Sequence, residues 1–266
     1  MIHPTAVVDE SATVDESCQV GAYSVIGANV TLGAETIIDP HVVVEGPTRI
    51  GAHNRIHAFA SVGGAPQDLK YDGEETWLEI GDHNTIREYA TVNRGTGQGG
   101  GYTRIGDHNL LMAYTHVAHD CQVGSHVVFS NGASLAGHVV VEDYATLAGF
   151  SLVHQFCRVG CHSFAGMGSA INCDVAPYTL VSGNFAKARG INTVGLRRKG
   201  FARETLSGLK QAYNSLIRDH GDRTQAMVAI EPLGEQHPEV AHFVQFIAAS
   251  TRGVVRHNTR TESQSA

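Results

Sequence analysis

Large aliphatic residues return at every sixth position through most of this 266-residue chain. Ile2, Val8, Val14, Val20, Ile26, Leu32, Ile38, Val44, Ile50 and Ile56 keep the interval without a miss. Val62 opens one more unit before the pattern breaks. It resumes at Ile80, Ile86 and Val92, breaks again, and then runs from Ile105 to Ile171, where only Phe129 and Ala165 depart from a medium aliphatic side chain. Four residues after each aliphatic stands a small or β-branched residue, as at Ala6, Ala12, Cys18, Ser24, Val30 and Thr36. A helix would bring apolar residues back every three or four positions, and a plain strand every two. A period of six with two inward positions describes a short strand followed by a turn. Three such units close a triangular coil of about 18 residues, and coils stack as parallel strands about 4.8 Å apart around an aliphatic ladder. Cys18, Cys121 and Cys157 fall on the small inward position and are read as core residues.

The two interruptions, residues 63–79 and 95–104, are expected to be loops expelled at a corner of the coil. Such loops often carry function, although the Gly-rich second one could equally be a flexible excursion. From Arg197 the six-residue interval is gone. Leu206, Leu209, Tyr213, Leu216 and Ile217 space out as one helical face, and Val240, Phe243, Phe246 and Ile247 as another after Pro238. The expected organisation is a β-helix over 1–196, a helical domain of two or three helices over 197–256, and a disordered tail over 257–266. The helices would also cover the open strand edge at the end of the stack.

Composition narrows the setting. Hydrophobic residues make up 42%, enough for a core. The chain has no apolar run long enough to span a bilayer, so no membrane span or stable membrane insertion is expected. The start, MIHPTAVVDE, lacks the basic and apolar stretches of a signal peptide. Five cysteines without a CxxC pair suit reduced thiols and a cytoplasmic location. A formal net charge of −7 argues against nucleic acid as a partner. Against that acidic background Lys187, Arg189, Arg197, Arg198, Lys199 and Arg203 gather in one basic segment.

Sixteen histidines are many. His41, His53, His83, His108, His126 and His162 stand three residues after an aliphatic, at what should be a solvated corner. Others form a pattern. Val117, Leu135 and Val153 are each separated by one full coil, so they share one face of successive coils. His116 precedes the first of them and His119 follows it by two. His138 is three beyond Leu135, and His154 is one beyond Val153. These side chains should share one surface column. Asp120 can orient His119, and such a pair makes a general base poised near neutral pH. Clustered histidines could instead hold zinc in a His₃ site with an open position, as in β-helical carbonic anhydrases, or decorate a purely structural scaffold. Asp120 and the basic segment have no obvious task in hydrating carbon dioxide.

The segments AHDC at 118–121, LAGHV at 135–139, VHQFC at 153–157, QDLKY at 67–71 and GLRRKGF at 195–201 resemble the UDP-N-acetylglucosamine O-acyltransferases of lipid A biosynthesis. The resemblance runs from the first hexad to STRG at 250–253. It implies a left-handed parallel β-helix with a C-terminal helical domain, assembled as a homotrimer. The handedness comes from the resemblance alone, since most crossovers are right-handed. It implies transfer of an (R)-3-hydroxyacyl chain from acyl carrier protein to the 3-hydroxyl of UDP-N-acetylglucosamine, the first step of lipid A biosynthesis. No metal or cofactor is implied beyond the phosphopantetheine carried by the donor. Matched position by position, His119 is the general base, Asp120 orients it, and the Gly137 N–H is the oxyanion donor. Asp68 and Lys70 position the sugar and donor. His116, His138, His154 and Gln155 line the cleft, and Asn192, Arg198 and Lys199 fall in the region that contacts donor and nucleotide. The basic segment would steer an acidic carrier protein. Met167 occupies the position whose size ends the acyl groove, which points to a shorter, C10-like chain; otherwise it fills a gap in the core.

Departures from the family pattern are Asn93, Phe185 and Val194, where polar residues are expected, and Lys199 in place of Arg. The first three could weaken binding, or shift preference toward a modified sugar such as a 3-amino analogue. The closest alternative is therefore a sibling enzyme that N-acylates a UDP-aminosugar, and the alternative in another class is a zinc carbonic anhydrase.

Overall fold

A computed structural model describes residues 1–219 and 221–257. The hexads fold as strands of two to four residues separated by turns, and every third strand pairs in parallel. The chain thus visits three sheets in rotation. Sheet I has nine strands and includes His116–Val117. Sheet II has eight and includes Gln122–Val123. Sheet III has ten and includes Leu110–Leu111. Register is set by the aliphatic rows, as in Val117↔Leu135 and Leu135↔Val153. The result is a left-handed parallel β-helix capped by α-helices.

The aliphatics of the six-residue rows are buried from Val20 onward. Cys18, Cys121 and Cys157 lie in the same core. Burial pushes the Cys121 thiol up to about 12 and the Cys157 thiol up to about 11, so neither offers a reactive thiolate.

The third residue after an aliphatic turns the chain at each corner. It takes a φ between 53° and 65° at eighteen non-glycine positions, among them Tyr23, His53, Asp120 and His138. Left-handed backbone costs a residue with a Cβ about 1–2 kcal/mol. The side chains offset part of this by stacking. His53, His83, His108, His126, Tyr144 and His162 form one continuous pile with ring centroids 4.6–4.9 Å apart. Tyr23, His41, Phe59, Tyr89 and Tyr114 form a second at 5.0–5.3 Å. The corner position expected for these histidines holds, but they are rungs of aromatic ladders rather than independently solvated side chains. Each stacked pair is worth about 0.5–1.5 kcal/mol beyond its buried area.

Both loops leave between sheets I and II, which we call the first corner. They are shorter than expected. Ser61–Gly64 and Trp77–Ile80 are strands, as is Tyr102–Ile105. Leu78 pairs with Thr48 and Thr103 and is fully buried, so the coil reclaims both ends of the first excursion and the end of the second.

The last strands, Thr179–Ser182 and Lys187–Ile191, pair antiparallel and end the parallel stack. Among the described residues four α-helices follow: α1 (Thr193–Arg198), α2 (Arg203–Tyr213), α3 (Arg223–Gln236) and α4 (Pro238–Ala248). The first helix straddles the expected 196/197 boundary. Leu206, Leu209, Tyr213, Leu216, Ile217, Val240, Phe243, Phe246 and Ile247 are all buried. Ser250 donates to Asp174 at 2.7 Å, and Asp174 bridges Val254, tying the chain end to the stack. Among the described residues, no helix is long and apolar enough to cross a membrane. Of the tail 257–266 only His257 is described, held by Tyr213 at 3.0 Å; the rest of that expectation lies outside the described residues.

Candidate active site

Strand His116–Val117 delivers the chain to the first corner, and the turn Ala118–Cys121 passes it to sheet II. Asp120 occupies the left-handed corner position, φ 62°, and its N–H donates to Thr103 Oγ1 at 2.8 Å. Its carboxylate is buried and fully engaged. Oδ1 accepts the Thr96 N–H at 2.8 Å, and Oδ2 accepts the Thr96 hydroxyl at 2.7 Å. His119 Nδ1 lies 2.7 Å from the same Oδ2. A carboxylate on Nδ1 assigns the proton to that nitrogen and leaves Nε2 as the basic one. The His119 side chain is 12% exposed, so the ring is walled in yet still open at one edge.

Two glycines make this geometry possible. Gly137 sits one coil beyond His119, where a Cβ would come within 2.5 Å of Cε1 and 2.7 Å of Nε2. Gly99, at the tip of the Gly-rich loop, lies so close that a Cβ would be 2.0 Å from the Asp120 carboxylate carbon. That loop is therefore a clamp on Asp120, not a free excursion. The two loops also hold each other. Glu74 accepts the Gly97 N–H at 2.9 Å, and Arg94 donates to Gly63 and, at 3.4 Å, to Tyr71. Asn93 is buried and donates to the Ala65 carbonyl at 3.0 Å, so this departure from the family pattern has a structural task in the loop base.

His138 meets His119 edge-on at 5.2 Å, stacks on Phe156 at 4.5 Å, and places Nε2 3.6 Å from Asp120 Oδ2. His116 Nδ1 lies 2.7 Å from Thr91 Oγ1, and burial pushes its pKa below the ordinary 6.5. His154 and Gln155 are exposed on the next coil, with Arg252 3.3 Å from His154. Asp68 and Lys70 sit on the first loop, where the Asp68 carboxylate accepts the Lys70 N–H at 3.0 Å. The donor atoms of His119, Asp120 and His138 lie within 4.8 Å of one another. His116 stands outside that set, so the three histidines of the zinc alternative are not assembled.

The remaining candidates lie elsewhere on the prism. Asn192, Arg198 and Lys199 line a groove of about 510 Å³ at the second corner, between sheets II and III, with Tyr144 and His162. Asn192 Oδ1 caps α1 by accepting the Gly195 N–H at 3.2 Å, and Lys199 Nζ lies 4.7 Å from the centre of the Tyr144 ring. Met167 projects from the third corner, 79% exposed, which removes the reading that it fills a core gap. Phe185 and Val194 are likewise exposed. The chain thus gathers the His119 group and both loops at one corner, and leaves the basic groove and Met167 on other corners. The sequence reading missed Thr91, Thr96, Gly99, Thr103 and Phe156. Only Phe156 had a signal, since it falls one full coil beyond His138 on the same corner.

The repeat-built prism with an oriented imidazole on its flank is of the hexapeptide-repeat transferase class, since its residues 102–137 match the bacterial transferase hexapeptide repeats. Residues 174–255 match the family described as Udp N-acetylglucosamine O-acyltransferase, Domain 2. An acyl-[acyl-carrier-protein]–UDP-N-acetylglucosamine O-acyltransferase from Halorhodospira halophila is 54% identical over 212 residues, 80% of this chain and 82% of that protein. One of the same name from Alkalilimnicola ehrlichii is 55% identical over 198 residues, 74% of this chain and 77% of that one. The solved UDP-N-acetylglucosamine acyltransferase of Francisella novicida superposes with a TM-score of 0.94 at 40% identity, covering 97% of this chain and 95% of that one. This chain belongs to the UDP-N-acetylglucosamine O-acyltransferase family.

Proposed function

We propose that this protein transfers an (R)-3-hydroxyacyl chain from acyl carrier protein to the 3-hydroxyl of UDP-N-acetylglucosamine, the first step of lipid A biosynthesis, in the cytoplasm. Family membership supports the substrates. The observation that carries the mechanism is the His119–Asp120 contact of 2.7 Å, clamped by Thr96. In this reading His119 Nε2 takes the proton from the sugar hydroxyl as its oxygen attacks the thioester carbonyl. Asp120 stabilises the imidazolium that forms, and the Gly137 N–H faces the developing oxyanion. The tetrahedral intermediate collapses by breaking the C–S bond. The proton on His119 leaves with the phosphopantetheine thiol, so no covalent enzyme intermediate and no metal or cofactor of the protein's own is needed. Every Asp120 oxygen already has a partner, which suits orienting work better than metal ligation.

The separation of candidates over three corners supports a homotrimer. Packing prisms side by side sets the first corner of one protomer against another corner of its neighbour. The Asn192–Arg198–Lys199 groove and Met167 then come to the His119 column from a different protomer. The exposed basic residues suit an acidic carrier protein. Met167, projecting where the acyl chain ends, limits it to a C10-like length; each buried methylene is worth about 0.8 kcal/mol, and a clash costs more.

A panel of 3-hydroxyacyl donors of graded length, run against UDP-N-acetylglucosamine and its 3-amino analogue, tests the assignment. We expect an ester product and a C10-like optimum, with Met167→Gly moving the optimum to longer chains. His119→Ala should lower turnover by roughly 10²–10⁴-fold with the assembly intact. A preference for the amino sugar would point to the N-acylating sibling instead, and near-normal turnover by His119→Ala would sink the mechanism.

A further inference from the structure

Away from the His119 column, a second group of chemically versatile side chains meets where the helical cap rests on the prism. Glu142 and Cys161 lie at the second corner on neighbouring coils, and His242 comes down from α4. Their donor atoms, a carboxylate oxygen, a thiol sulfur and an imidazole nitrogen, all lie within 4.8 Å of one another. His242 Nε2 is 2.9 Å from Glu142 Oε2, and the Cys161 N–H donates to the same oxygen at 2.9 Å. Arg158 pairs with the other carboxylate oxygen at 3.5 Å. The Tyr178 ring stands 6.3 Å from that of His242, nearly perpendicular, and forms one wall. All three donors are half-buried, shielded from bulk water but open to a small ion.

We propose that Glu142, Cys161 and His242 form a zinc site that rivets the C-terminal helices to the β-helix. Sulfur, imidazole and carboxylate are the zinc donor set. Bonds of about 2.0–2.3 Å to a tetrahedral ion place its donors roughly 3.3–3.8 Å apart; the three atoms already lie within 4.8 Å of one another, so the His242–Glu142 contact of 2.9 Å need only open slightly, with water in the fourth position. Divalent zinc with one thiolate and one carboxylate makes a neutral centre, so Arg158 meets no net charge of its own sign. A harder cation would prefer an all-oxygen shell. The three ligands come from two coils of the prism and a helix far along the chain, so ion binding adds a coordinate link to elements that otherwise meet through packing and a few polar contacts. The remaining cysteines do not compete: Cys18, Cys121 and Cys157 are buried in the ladder, and Cys173 is outside this group. The site takes no part in acyl transfer as proposed above and is independent of that assignment.

The test uses the full-length protein, stripped with a chelator and dialysed against micromolar zinc. We expect one equivalent of zinc per chain, a thiolate-to-cobalt charge-transfer band on replacement with Co²⁺, and a metal-dependent rise in the unfolding midpoint. Cys161→Ser and His242→Ala should each weaken binding by more than the roughly 10–100-fold that loss of a supporting group costs, while Cys173→Ser should keep it. The wild-type measurement stands even if a variant folds poorly. Protein that retains no zinc and shows no cobalt band overturns the proposal. So does zinc that survives both substitutions but is lost in His138→Ala, which would place it in the other cluster.

Discussion

Gly137 shows how much one missing methyl group decides. Its hydrogen faces the edge of His119, where an alanine Cβ would overlap the imidazole. The ring would have to rotate off Asp120, and misplacing a catalytic group by about 1 Å costs roughly 100-fold in rate. Gly137→Ala should therefore lower kcat by about that factor while the unfolding midpoint is preserved; initial rates with saturating substrates check this. His116 makes a different point. Burial pushes its pKa down, so as pH falls the unfolded chain takes up a proton near 6.5 before the folded one does. The stability it contributes is present above that pH and is lost as pH falls through and below it. The His116 ring resonance should titrate below 6.5, and His116→Gln should flatten part of the acid-side decline in unfolding midpoint. A normal titration would remove this role.

At the level of elements, the Gly-rich loop over 94–101 matters as a clamp. Thr96 supplies both its N–H and its hydroxyl to Asp120. A hydrogen bond to a charged group contributes about 1.5–3 kcal/mol, so Thr96→Val should reduce kcat by roughly 10–100-fold with little change in KM, and Thr96→Ser should restore most of it. The prism was legible in sequence because one inward row repeats without regard to what the outer face does. His119 and Asp120 were legible because they are adjacent. Thr96 was not: it stands more than a full coil earlier, in a segment with no periodicity, and only the fold brings it back. The ends of the excursions were misjudged for a related reason. Leu78 occupies the place two residues before an aliphatic that Thr48 fills on the preceding coil, and a large residue there masked the register. Helix α3 carries a single buried residue, Ile230, so it shows no apolar stripe to find, whereas α2 and α4 bury clear ones. The stacking of corner histidines needs positive φ at each, which composition does not announce.

At the scale of the whole molecule, the proposed homotrimer would bring together corners that a lone chain keeps apart. If the basic groove of one protomer serves the His119 of another, two defective chains can rescue each other. Chains carrying His119→Ala mixed with chains carrying Arg198→Ala, unfolded and reassembled together, should recover a sizeable fraction of native activity, while each alone stays poor. No recovery in confirmed mixed assemblies would mean that each prism works by itself. The antiparallel hairpin at Thr179–Ile191 gives the same molecule a polarity. One terminus of the stack is sealed by a reversed strand and helices, whereas the row residues of the first coil, Ile2, Val8 and Val14, are exposed or only half-buried. Heat or mechanical pulling should consequently loosen this thinly buried coil before the plugged end gives way.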